Sequence, residues 1–152
     1  MSRRLVIALA SASLLLTSCA AGGQAPTRNI KQVTDGVDKD AGELKIRNLL
    51  VVATPGGGGT LVAYIVNQGA EADQLAGLTI NGQTAELTTA APLTTNKPMI
   101  FEGEVANAKA KVAALGAVAG ARVPVVLYFA KAGKVELDAL IVENSGIYSS
   151  IL

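Results

Sequence analysis

From residue 44 onward the chain alternates apolar and polar positions, and clusters of glycine, proline and asparagine interrupt the alternation at short intervals. In the first run Leu44, Ile46, Leu50 and Val52 share one face while Lys45 and Arg47 share the other, which predicts a half-buried strand. PGGGGT at residues 55–60 ends it, and TLVAYIVNQG after it is apolar on both faces, the pattern of a central strand. Asn81-Gly82 lies inside the alternating stretch 73–87 and supplies the positive φ angles of a type I′ turn, so a hairpin is predicted there. Residues 88–98, with two prolines and many hydroxyls, predict a long connection, and alternation resumes at Met99.

Residues 105–121 are ambiguous. Val105, Ala108, Val112 and Leu115 match a helical period, but Gly116 and Gly120 interrupt it, and a strand followed by a loop fits as well and is preferred. Residues 122–142 predict a closing hairpin, with a turn around Gly133 and with Phe129 and Leu137 directed at the core. Some seven short strands at this spacing predict an all-β, antiparallel sandwich of immunoglobulin-like or cupredoxin-like type. The last residues, ENSGIYSSIL, turn from polar to apolar, and both a frayed tail and an edge cover remain open.

The start of the chain follows a different logic. Arg3 and Arg4 precede an apolar stretch at 5–16, too short for the roughly 20 residues of a membrane-spanning helix and suited to a removable export signal. Leu16, Thr17, Ser18 and Cys19 resemble the bacterial lipobox, in which cleavage between Ser18 and Cys19 leaves a lipidated cysteine as the new amino terminus. Each buried acyl CH₂ contributes about 0.8 kcal/mol, so two or three chains on Cys19 would hold the protein durably. SRRLVI at 2–7 faintly resembles a twin-arginine signal, although any export signal carries early positive charge, and ordinary export is preferred. The resulting organisation is a signal peptide at 1–18, Cys19 and a flexible tether at 19–42, a sandwich at 43–143 and a tail at 144–152. Within the tether, Asp38, Asp40 and Glu43 superficially suggest a calcium loop. The spacing fails at Gly42 and Glu43, and a solvated loop is expected over 32–43.

Composition narrows the chemistry. Half of the residues are hydrophobic but only 3% are aromatic, so the core must be aliphatic. There is one cysteine and no histidine, which removes internal disulfides, the commonest metal ligand and the commonest general base together. A formal charge of +1 provides no field to steer the chain onto a polyanion, and Tyr64, Phe101, Tyr128, Phe129 and Tyr148 are too dispersed to stack bases, so nucleic acid is not an expected partner. No nucleophile elbow occurs, and Glu102 with Glu104 reads as the solvated side of a strand rather than as a catalytic pair. PGGGGT lacks the following Lys-Ser/Thr and leads into strand material, which argues against a phosphate-binding loop of P-loop type. The chain is therefore not expected to be an enzyme, and no cofactor is expected.

GGTLVAYIVNQGAEADQLAGLTI at 58–80, with Asn67, Gly69, Asp73 and Leu75, resembles the signature of the periplasmic copper chaperones called PCuAC, and VPVVLYFAKAGKVELDALIV at 123–142 resembles that family's final hairpin. Together with the lipobox, the arrangement is most similar to actinobacterial lipoproteins of the LpqE type, a branch of the same domain. The resemblance covers about residues 44–142 and implies the family's fold. It also implies a copper site of two His and two Met, yet Thr88 stands where the first His would fall. ANAKAKVAAL at 106–115, where the second His and its Met would lie, contains neither. Met99 is the one thioether left after signal removal, a weak metal candidate and a better core filler. The expected function is thus a non-catalytic envelope module, membrane-bound through Cys19 on the extracytoplasmic face, that binds a protein or another envelope ligand. The alternative is copper handling with non-standard or shared ligands.

Overall fold

The computed structural model describes residues 34–89 and 92–151. The expected signal peptide, Cys19 and most of the expected tether lie outside them. The described residues form ten strands and one short 3₁₀ turn: β1 Val37–Ala41, β2 Leu44–Ala53, β3 Gly59–Asn67, β4 Leu75–Ile80, β5 Gln83–Thr84, β6 Glu86–Thr89, β7 Pro98–Ile100, β8 Ala108–Val112, β9 Arg122–Phe129 and β10 Gly133–Glu143, with the turn at Gly146–Tyr148. Hydrogen bonding follows the path β5-β4-β9-β10-β2-β3-β8-β6, with β1 added on β2 and β7 on β3. All pairs are antiparallel except β10 with β2, where Ile141, Val142 and Glu143 run parallel to Val51, Val52 and Ala53. This parallel contact joins the two sheets of the sandwich. The all-β expectation holds, with more strands than the seven predicted because β1, β5 and β7 are short pieces.

The main core draws on both sheets: Ile46, Leu49, Leu61, Ile65, Leu78, Ile80, Leu127 and Phe101 are each at most 1% exposed. Phe129 and Leu137 join it from the closing hairpin, as expected. One expectation fails on β2. Leu44 and Ile46 face the main core, but Leu50 and Val52 face the opposite side, because Asn48 inserts an extra residue into the strand. Between the pairs Arg47↔Tyr64 and Leu50↔Val62 two residues of β2, Asn48 and Leu49, oppose one of β3, Ala63, and the same two-to-one offset occurs against β1. Asn48 takes φ +50°, its N–H donates to Asp38 Oδ1 at 2.8 Å, and its Oδ1 accepts from the Gly36 N–H at 3.2 Å. A one-residue bulge transfers every later side chain to the other face, so Leu49 and Val51 enter the core instead.

The displaced Leu50 and Val52 are covered by the end of the chain. Ile151, 7% exposed, packs on them together with Val62, Val142 and Tyr148. The Asn144 side-chain amide donates to the Ile151 carbonyl, closing this segment into a loop, and the Tyr148 hydroxyl donates to Asp35 Oδ2 at 3.3 Å. Residues 144–151 are therefore a sheet cover rather than a frayed tail.

Two further expectations are corrected. Residues 37–41 are strand rather than solvated loop: Asp40 pairs with Lys45 at 3.1 Å and Arg47 at 2.6 Å across the β1–β2 ladder, so alternating charge is compatible with an edge strand. Glu102 and Glu104 lie beyond the end of β7 and are not strand residues. The hairpin at Asn81-Gly82 forms with φ of 50° and 75°, and residues 105–121 resolve into β8 followed by a loop, as preferred.

Candidate functional site

The signature residues of the sequence meet at one end of the sandwich. Asn67 ends β3 and is 3% exposed; its Oδ1 accepts from the Gly69 N–H at 2.9 Å, and its Nδ2 donates to the carbonyls of Glu71 at 2.7 Å and Leu93 at 3.0 Å. Asp73, 7% exposed, precedes β4. Its Oδ1 accepts from the N–H groups of Gln74 at 2.7 Å and Lys131 at 2.8 Å, and its Oδ2 accepts from the Ala132 N–H at 2.9 Å. The backbones of Asp73 and Leu93 exchange two further hydrogen bonds. A side chain at Gly69 would come within 3.1 Å of Asn67 Oδ1 and 3.2 Å of Glu43, which accounts for glycine there.

These contacts tie the β3–β4 loop to the connection before β7 and to the β9–β10 turn. Burial alone would raise the Asp73 pKa, but the three backbone donors outweigh it and hold the carboxyl below its ordinary range. Both side chains spend their oxygens on the protein's own backbone. The signature thus describes a structural knot and carries no free chemistry. At its edge Lys131 pairs with Glu71 at 2.9 Å beside a cleft of about 500 Å³.

The positions that would supply copper donors are arranged quite differently. Met99 lies on β7 opposite Ile65, is 5% exposed and belongs to the main core, while also lining a cleft of about 480 Å³ with Pro92, Lys97 and Val105. Thr88 is exposed on β6 and is paired with Lys109 of β8. Within 106–115, Asn107 is engaged by the β7 backbone: its Oδ1 accepts from the Ile100 N–H and its Nδ2 donates to the Pro98 carbonyl. Among the described residues no three His, Cys, Asp or Glu side chains are grouped so as to hold a metal ion. Cu(I) favours thioether, thiolate and imidazole donors. Among the described residues, the threonine hydroxyl, lysine ammonium and inward thioether at these positions do not make up such a set.

Glu102 and Glu104, although not on a strand, line one shallow cleft of about 340 Å³ together with Val62, Tyr148 and Ile151. Cys19 and the Ser18–Cys19 cleavage position lie outside the described residues.

No family model matches the chain, and no curated protein matches it. Solved structures do. The copper-bound PCuAC domain from PmoF2 is 20% identical and superposes with a TM-score of 0.59 over 70% of this chain and 98% of that one. The apo PCuAC domain from PmoF1 is 23% identical, with a TM-score of 0.60 over 70% and 99%. The apo PmoF2 PCuAC domain is 18% identical, with a TM-score of 0.61 over 72% and 98%. At these identities the likeness is one of fold, and the sandwich described above is a PCuAC-like fold.

Proposed function

We propose that this chain is an LpqE-type lipoprotein, fastened through Cys19 to the extracytoplasmic face of the cell membrane, whose PCuAC-like sandwich is a non-catalytic binding module for an envelope protein or other envelope ligand. The observation that carries this reading is the donor set. The scaffold is PCuAC-like in fold, while Thr88 and Lys109 face each other on β6 and β8 and Met99 is turned into the core. A fold kept without an ion's ligands is one whose loops and clefts serve another recognition task.

A second reading is copper handling with non-standard ligands or with ligands shared by a partner. The structural comparisons favour it more directly than they favour an unspecified binding module, since one of the similar domains was solved with copper bound. On that reading Met99 supplies one thioether, and the remaining donors come from other groups of this chain or from a partner.

A titration of the mature, detergent-solubilised lipoprotein with Cu(I) under reducing conditions separates the two. Substoichiometric uptake is expected, unchanged in Met99→Leu. Stoichiometric uptake that Met99→Leu abolishes would transfer the assignment to copper handling. The anchor has an independent test. Cys19→Ala is expected to leave an unprocessed precursor that incorporates no labelled palmitate, and normal processing of this variant would refute the lipobox assignment.

A further inference from the structure

The glycine-rich turn between β2 and β3 does not form a P-loop, yet it borders the one place where the sandwich leaves a fully buried side-chain hydroxyl unsatisfied among the described residues. Thr60 is 0% exposed and its Oγ1 has no hydrogen-bond partner. The register sets Thr60 beside Val52 on β2 and Lys111 on β8, on the outward face, whereas its neighbour Leu61 points into the core. Thr54, Thr60 and Lys111 line a cleft of about 310 Å³ whose walls are Pro55, Gly59 and Val112.

A glycine beside the cleft is required by close approach. A Cβ on Gly58 would lie 2.8 Å from Thr54 Oγ1 and 2.8 Å from the Val112 carbonyl oxygen, so any side chain there would crowd the cleft. Lys111 makes no ion pair among the described residues, and Glu86, its cross-strand neighbour on β6, makes none either. The charged side chain lining the cleft is a cation, and no carboxylate lines it. A buried hydroxyl without a partner has lost the hydrogen bonds that water gave it, and an ammonium beside two hydroxyls is a donor set for an anion with several acceptor oxygens.

We infer that the cleft formed by Thr54, Thr60 and Lys111 at the glycine-rich β2–β3 turn binds a small oxyanion, a phosphate or carboxylate group. Lys111 supplies charge, and the two threonines supply O–H donors. A phosphate of this kind can come from solution or from a lipid headgroup, and the site's chemistry is the same for both.

The test is an amide and methyl NMR titration of the full chain, first with inorganic phosphate and then with phosphatidylglycerol-containing vesicles set against pure phosphatidylcholine vesicles. Saturable shifts confined to Thr54, Gly58–Thr60 and Lys111, weakened at least tenfold in both Thr60→Val and Lys111→Met, are expected. Saturation by phosphate identifies a free anion, and a response to the anionic vesicles alone identifies a headgroup. Because the Thr60 hydroxyl satisfies nothing inside the protein, Thr60→Val is also expected to leave the melting temperature unchanged or higher. Shifts absent from both arms, or rising without saturation and persisting in both variants, would overturn the assignment.

Discussion

Asp73→Ala is expected to destabilise the fold by about 3 kcal/mol, because it strands three partly buried backbone N–H donors at once, each at the lower end of the roughly 1–3 kcal/mol that an unpaired buried donor costs. The donors of Gln74, Lys131 and Ala132 belong to two loops far apart in sequence, so the loss is of a long-range tie rather than of a local turn. For a domain of this size the melting temperature should fall by roughly 10 °C or more. Asp73→Asn, which keeps the shape but not the charge, should recover only part of the loss. The pH dependence discriminates the cause. The folded carboxyl titrates below its unfolded value near ~3.9, so its stabilisation is complete above that value and disappears as pH falls through the lower, folded one. Wild type and Asp73→Asn should therefore differ most at neutral pH and converge in strong acid. Chemical denaturation between neutral pH and about pH 3 measures this, and a difference that stays constant over that range would show that the charge is not what binds the loops.

The same residue shows how much the sequence discloses. Asn67, Gly69 and Asp73 stood out as a motif, and the structure explains them fully, since each is required by hydrogen bonds or close approach inside one polar knot. The hairpin at Asn81-Gly82 was legible for a similar reason, because its turn chemistry is local. The bulge at Asn48 was not legible. After Asn48 the run Leu49–Val52 is apolar at every position and fits either face, and only the pairing with β1 and β3 shows that the faces exchange there. β1 was hidden in the same way, since its charged residues find partners on β2 rather than in the segment itself. The oxyanion cleft lay beyond sequence reasoning because Thr54, Thr60 and Lys111 are brought together by a β3–β8 register that spans some fifty residues of chain. The glycines were visible, but the hydroxyls and the ammonium that give them a use were not.

The exchange of faces on β2 leads to the other large effect. Truncation after Glu143 is expected to cost about 3 kcal/mol and to make the protein self-associate. Ile151 alone, buried at 7% exposure, should contribute about 1.5–3 kcal/mol by the usual value of a buried aliphatic side chain, and its removal also uncovers Leu50 and Val52, both 0% exposed in the intact chain. Those two residues lie on a sheet face that the bulge turned outward, so without the cover they add an apolar patch to the surface. Burial and then the nearby Asp35 carboxylate push the Tyr148 phenol up, which keeps it protonated as the donor to Asp35 and ties the cover to the start of the described chain. A single substitution separates the apolar contribution from this tie. Ile151→Asp should reproduce most of the destabilisation with the hydrogen bonds of Asn144 and Tyr148 available, whereas Tyr148→Phe should change stability by less than about 1 kcal/mol, as expected for one exposed hydrogen bond. Urea unfolding and sedimentation of the three variants decide it. A truncated chain that unfolds at the wild-type midpoint and stays monomeric would mean that Leu50 and Val52 need no cover, and that the bulge at Asn48 has no consequence for the end of the chain.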